Sequence, residues 1–146
     1  MADETARSLT VDAGVDRLAE VRAFVRAAAR ALGASDDSVV DLVQAVDEAA
    51  TNVIVHGYAG QPGAIDVTTE RHGRYVVVTL SDECPPFDPT AVPEPDLSRL
   101  ERWRPGGKGI HLIRAATDRL RYRPRGTRGN VLTMIRTLTA REGEEA

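Results

Sequence analysis

The sequence predicts an α+β domain: a two-layer α/β sandwich whose mixed, mostly antiparallel sheet is covered on one face by helices. Three observations carry this. Segments with helical apolar spacing come before the long strand patterns. The strand-period segments that follow are joined pairwise by tight turns, which gives antiparallel pairs. Helices that separate from strands along the chain belong to α+β rather than alternating architectures. At 146 residues and 42% hydrophobic, the chain suits one compact core. A single domain is expected over residues 8–140, with 1–7 and 141–146 as disordered tails.

The elements follow in order. A short strand is expected at Leu9–Val11. Val15, Leu18, Val21, Val25, Ala28 and Leu32 then recur on one helical face. Gly33 stands where a left-handed C-terminal cap belongs. Ser35 is an N-cap, and Asp36 and Asp37 suit the first turn of a second helix. That helix is expected from about residue 36 to His56, stopping at Gly57. Ala64–Glu70 alternates with Ile65, Val67 and Thr69 on one side, and Tyr75–Leu80 reads as a strand buried on both faces. His72-Gly73 is the turn between them. Residues 84–106 are proline-rich with no strand period, and long loops of this kind are usually functional or disordered. Leu97–Trp103 fits one short helix inside that loop. A helix at Ile110–Ala116 precedes strands at Arg119–Tyr122 and Val131–Arg136, which are joined by a Gly126/Gly129 turn.

Composition excludes several function classes. The formal charge of −3 gives no general pull toward nucleic acid or anionic lipid. The Arg-rich segment RLRYRPRGTR reads better as a guarded edge strand than as a nucleic-acid surface. No apolar run is long enough to span a membrane, and no signal peptide opens the sequence. Cys84 is the only cysteine, so neither an internal disulfide nor a Cys-based zinc site can form. A cytoplasmic location fits these features.

Three short stretches carry chemistry. On the second helix Gln44, Glu48 and Asn52 are spaced four apart, so they project from one face at roughly 6 Å intervals. A solvated helix face would look the same. Asp82 lies where the hydrophobic strand leaves the core, and its carboxylate could accept from an amino group or simply open a turn. RPGGKGIHLI puts Gly106, Gly107 and Gly109 at a helix entry, with Lys108 and Arg104 nearby. Glycines let backbone approach an anion, and the helix N-terminus offers free N–H groups. It is neither a P-loop nor a dinucleotide fingerprint.

Together and in this order, the three resemble the N, G1 and G2 boxes of the GHKL ATPases, whose nucleotide site sits on the Bergerat fold. DEAATNVIVHGY, SDECPPFDP, GGKGIHLIRAATDRLRY and GNVLTM are most similar to the short branch of anti-sigma-factor serine kinases of the RsbW type. The resemblance runs from about Leu9 to Thr137. It implies an ATP- and Mg²⁺-dependent serine-protein kinase that phosphorylates a STAS-type anti-sigma-factor antagonist and sequesters a sigma factor, as a homodimer. It implies Glu48 as general base, Asn52 as Mg²⁺ ligand and Asp82 as the adenine-reading group. Gly107, Lys108, Gly109 and Ile110 would line the phosphates, and residues 89–105 would form a short lid.

One position departs from the pattern. Cys84 stands where the G1 box carries glycine, so a thiol could crowd the base or force φ out of its allowed range. A second reading follows: a non-catalytic partner-binding module with a drifted pocket. Of the other candidates, His56 suits a helix C-terminus, His111 a solvated helix position and His72 a turn. Trp103 would cover the pocket or anchor a partner.

Overall fold

The computed structural model describes residues 6–91 and 107–139. Strand β1 (Ala6–Asp12) leads through a 3-10 turn at Val15–Arg17 into helix α1 (Leu18–Ala31) and then α2 (Asp36–Asn52). A π-helical segment, Val53–Tyr58, continues α2. Strands β2 (Ala64–His72) and β3 (Tyr75–Asp82) form a hairpin. A 3-10 turn at Pro89–Ala91 follows, then α3 (Gly107–Ala116), β4 (Arg119–Pro124) and β5 (Asn130–Thr137). The expected helix at Leu97–Trp103 and most of the expected lid, with Arg104 and Gly106, fall outside the described residues.

The five strands make one sheet in the order β1-β2-β3-β5-β4. All four pairings among the described residues are antiparallel, so no parallel ladder joins the mixed pattern that was expected. β5 returns between β3 and β4, so β3 is the central strand with β2 and β5 on either side. The architecture is α+β.

Local chemistry explains the elements. Apolar Val21, Val25, Ala28 and Ala29 form the buried stripe of α1. Its end is a Schellman cap, in which Ala34 N–H donates to Ala29 C=O at 3.1 Å and Gly33 N–H to Arg30 C=O at 3.0 Å, with Gly33 at φ 96°. Ser35 Oγ accepts from Ser38 N–H at 3.2 Å and caps α2. Val39, Leu42, Ala45, Val46, Ala49 and Ala50 of α2 are buried, together with Ile65, Val67, Val78, Leu80 and Met134 of the sheet and Ile113 of α3. Burying each of the Val, Leu, Ile and Met side chains among them contributes about 1.5–3 kcal/mol.

Three expectations shift. β1 begins at Ala6, so Ala6 and Arg7 pair with Glu70 and Thr69 instead of belonging to a tail. β3 alternates, with Val76, Val78 and Leu80 buried but Val77, Thr79 and Ser81 only half-buried. The outer face of the sheet carries no helix among the described elements, and in-register neighbours such as Thr68, Thr79 and Thr133 merely shade one another. Finally, Gly57 does not end the second helix. The backbone runs on to Tyr58 and stops at Ala59, which adopts the left-handed φ of 51°.

Candidate functional site

The stripe on α2 is graded. Gln44 is exposed, whereas Glu48 and Asn52 are half-buried. What covers them is the start of α3. Gly109 is buried there, and a Cβ built on it would lie 3.0 Å from Glu48 Oε2 and 3.3 Å and 3.5 Å from Asn52 Nδ2 and Oδ1. Any side chain at this position would fill the space the two polar groups face. The bare backbone of α3 therefore meets the α2 polar pair directly. Ile110 is buried beside it, and Ile113 and Ala116 fix α3 against the core. Gly107 and Lys108 form the first residues of the same helix.

Asp82 ends β3 and is 2% exposed. Its Oδ1 accepts from Cys84 N–H at 2.8 Å and from Asn130 Nδ2 at 2.9 Å. A buried carboxylate with two donors avoids most of the cost of leaving water. The Cys84 thiol is buried as well, against Gly57, where a built Cβ would come within 2.6 Å of Sγ. Burial, and then the charge of Asp82, push the thiol from 9.0 up to about 12, so it stays protonated at neutral pH. Cys84 takes no left-handed φ, since Ala59 is the sole non-glycine residue to do so among those described. The backbone strain anticipated at this position is therefore absent, and the missing Cβ of Gly57 makes room for the sulfur.

Tyr58 joins these parts. Its hydroxyl donates to Ala64 C=O at 2.7 Å and accepts from Glu83 N–H at 2.9 Å. Desolvation by burial pushes the phenol above its usual 10.0. Gly63 admits the ring, since a Cβ there would meet it at 2.1 Å. Thus α2 and its π continuation touch both other stretches: Glu48 and Asn52 meet Gly109, and Gly57 and Tyr58 meet the Asp82–Cys84 corner.

Sequence reasoning missed Tyr58, Gly57 and Asn130. Asn130 has a faint signal, an amide in a strand-forming run (GNVLTM) where Asn is disfavoured. Arg114 was also missed. It reaches from α3 to Thr90 C=O at 2.6 Å and Pro89 C=O at 3.4 Å, and holds the turn that follows β3. Other candidates lie elsewhere. His56 is exposed, and His72 Nε2 sits 3.2 Å from Glu70 Oε2 in its turn. His111 is half-buried, and its Nδ1 has no partner among the described residues. Those residues hold no group of three or more His, Cys, Asp or Glu suited to a metal. No described helix is long and apolar enough to cross a membrane.

The model of the histidine kinase-like ATPase domain matches residues 11–136. The chain belongs to that family. Within it, the chain is 35% identical to the serine/threonine-protein kinase BtrW of Bordetella bronchiseptica over 86 residues, 58% of this chain and 61% of that one. It is 29% identical over 121 residues to the serine-protein kinase RsbW of Staphylococcus epidermidis, covering 77% of this chain and 76% of that protein. It is 27% identical over 128 residues to an anti-sigma F factor of Pasteuria penetrans, at 83% and 85% coverage. Among solved structures, the RsbU and RsbW domains of Rv1364c from Mycobacterium tuberculosis superpose with a TM-score of 0.66 at 23% identity. That match covers 91% of this chain and 32% of the other, and it supports the fold alone. These relatives are named serine kinases and anti-sigma factors, and their similarity to this histidine kinase-like ATPase domain is modest.

Proposed function

We propose that the chain is an ATP- and Mg²⁺-dependent serine-protein kinase that acts as an anti-sigma factor in the cytoplasm, phosphorylating a STAS-type antagonist and sequestering a sigma factor as a homodimer. The observation that carries this reading is the approach of Gly109 to Glu48 and Asn52, a bare-backbone corner facing a carboxylate and an amide. The names of the relatives support the same activity.

Phosphoryl transfer needs positioning and charge neutralisation more than covalent help. Bound Mg²⁺ would supply that neutralisation, shared between the Asn52 amide oxygen and phosphate oxygens, a ligand set that suits a hard cation. Glu48 would orient the serine hydroxyl and take its proton. Backbone N–H groups at the start of α3, with Lys108, would hold the phosphates. Asp82 would accept from the adenine amine.

Glu48→Ala tests the base. It should bind ATP as the parent does, and it should lower phosphate transfer to an antagonist by at least ~10²-fold. Labelled ATP, Mg²⁺ and candidate antagonists, read by phosphoprotein mass, measure this. Undiminished transfer would remove Glu48 from the role. Asn52→Ala should bind ATP equally with and without Mg²⁺ in titration calorimetry. A metal dependence that survives would reassign the ligand.

The alternative, a binding module with a drifted pocket, is motivated by Cys84. Accommodation of the sulfur against Gly57 counts against steric damage to the fold. Cys84→Gly distinguishes the two: a large gain in ATP affinity marks the thiol as the obstacle.

A further inference from the structure

We propose that Asn130 is the positioning residue that makes the base end of the site selective for an amino-bearing purine. This rests on reading Asp82 as the group that accepts from the base.

The reasoning starts from donors whose role cannot change. Phe87 N–H is a backbone donor, and it points at an Asn130 side-chain atom 2.8 Å away. That atom must be the carbonyl oxygen, Oδ1. Tyr122 Oη lies 2.7 Å from the same Oδ1 and so must donate its proton. Both contacts fix the amide in one of its two orientations. Nδ2 is thereby turned the other way, toward Asp82 Oδ1 at 2.9 Å and Pro85 C=O at 3.3 Å. Asn130 is 8% exposed, so water competes poorly for these groups.

The consequence falls on Asp82. Its Oδ1 receives Asn130 Nδ2 and Cys84 N–H together. Neither donor uses Oδ2. A carboxylate held by two donors on one oxygen presents the other in a fixed direction, as an acceptor only. A base offering an amine there is favoured, and one offering a carbonyl places two acceptors face to face. Without Asn130 the carboxylate keeps only its contacts with Cys84, the backbone N–H and the neighbouring thiol, and its terminal torsion is intrinsically broad. Asn130 removes that freedom. The anchor comes from β5, and its own orientation is set by Tyr122 on β4 and by the turn after β3.

The test is titration calorimetry of the whole chain with ATP and with inosine triphosphate, which carries a carbonyl where adenine carries its amine. Wild type, Asp82→Asn, Asn130→Ala and Tyr122→Phe are compared, with thermal unfolding run on each. Asp82→Asn should abolish the ATP/ITP preference. Asn130→Ala should lower it by about tenfold, and Tyr122→Phe by a few-fold, as expected for loss of hydrogen bonds that orient a charged acceptor. A purely structural role would lower the melting temperature and leave the ratio unchanged. A collapse in Asp82→Asn together with a wild-type ratio in Asn130→Ala overturns the inference while sparing the reading of Asp82. A wild-type ratio in Asp82→Asn overturns both, because the base is then read elsewhere. Should Asn130→Ala not fold, Tyr122→Phe decides alone, and an unchanged ratio there also overturns the inference.

Discussion

The contact between Gly57 and Cys84 shows how one position depends on another far along the chain. A Cβ built on Gly57 would sit 2.6 Å from Cys84 Sγ and 3.3 Å from Cys84 Cβ. Gly57 is needed here for close approach, and its backbone takes no left-handed φ. The sulfur is enclosed, so it cannot simply swing aside into water. Gly57→Ala should therefore overpack the site and destabilise the domain by about 1–3 kcal/mol in denaturant titrations. Removing Sγ relieves the closer of the two contacts and leaves the 3.3 Å approach to Cβ. In the Gly57→Ala background, Cys84→Ala should recover much of the loss, giving a coupling of at least about 0.5 kcal/mol. Strictly additive effects would mean that the two residues do not touch. The sequence could expose Cys84 as a departure from the glycine of the resembled motif, but not its compensation. Nothing local to either residue encodes the contact.

At the scale of elements, periodicity made most of the fold legible, and hydrogen-bond detail was what it lost. The apolar stripe of α1, the cap at Ser35 and the alternation of β2 are all read from neighbours a few positions apart, and all stand in the structure. The same holds for Glu48 and Asn52, whose one-turn spacing alone puts them on one face. The π segment was not legible, because Gly57 looks like a stop and only the docking of Tyr58 onto Ala64 and Glu83 shows why the turn widens instead. Ala59 closes it, donating its N–H to Ile54 C=O at 3.2 Å with a φ of 51°. A left-handed alanine costs about 1–2 kcal/mol. Glycine removes that cost and adds back about 0.5–1 kcal/mol of chain entropy. Ala59 is exposed, so no packing is lost. Ala59→Gly should stabilise the domain by roughly 0.5–1 kcal/mol in urea unfolding. A destabilised variant would show that the left-handed cap carries no strain.

Across the whole molecule, the candidate site draws on parts that meet only in the folded state. Glu48 and Asn52 come from α2, Asp82 from the end of β3, Gly109 from α3 and Asn130 from the start of β5. β3 and β5 are adjacent inside the sheet, and α2 packs on both of them and on α3. No single element of the chain contains the site. A nucleotide held there binds the native state and has nothing equivalent to bind in the unfolded chain. Linkage then requires stabilisation by RT ln(1 + [L]/Kd), about 2.7 kcal/mol at a hundredfold excess over Kd. For a domain of this length that is on the order of 10 °C in melting temperature. Thermal unfolding with ATP and Mg²⁺ should show a shift of this size, smaller when the metal is chelated. In Asn52→Ala the metal-dependent part should vanish while the part due to ATP alone remains. No shift at millimolar ATP with Mg²⁺ would remove the proposed kinase activity, because a site assembled from α2, α3, β3 and β5 cannot hold a nucleotide without stabilising the fold that builds it.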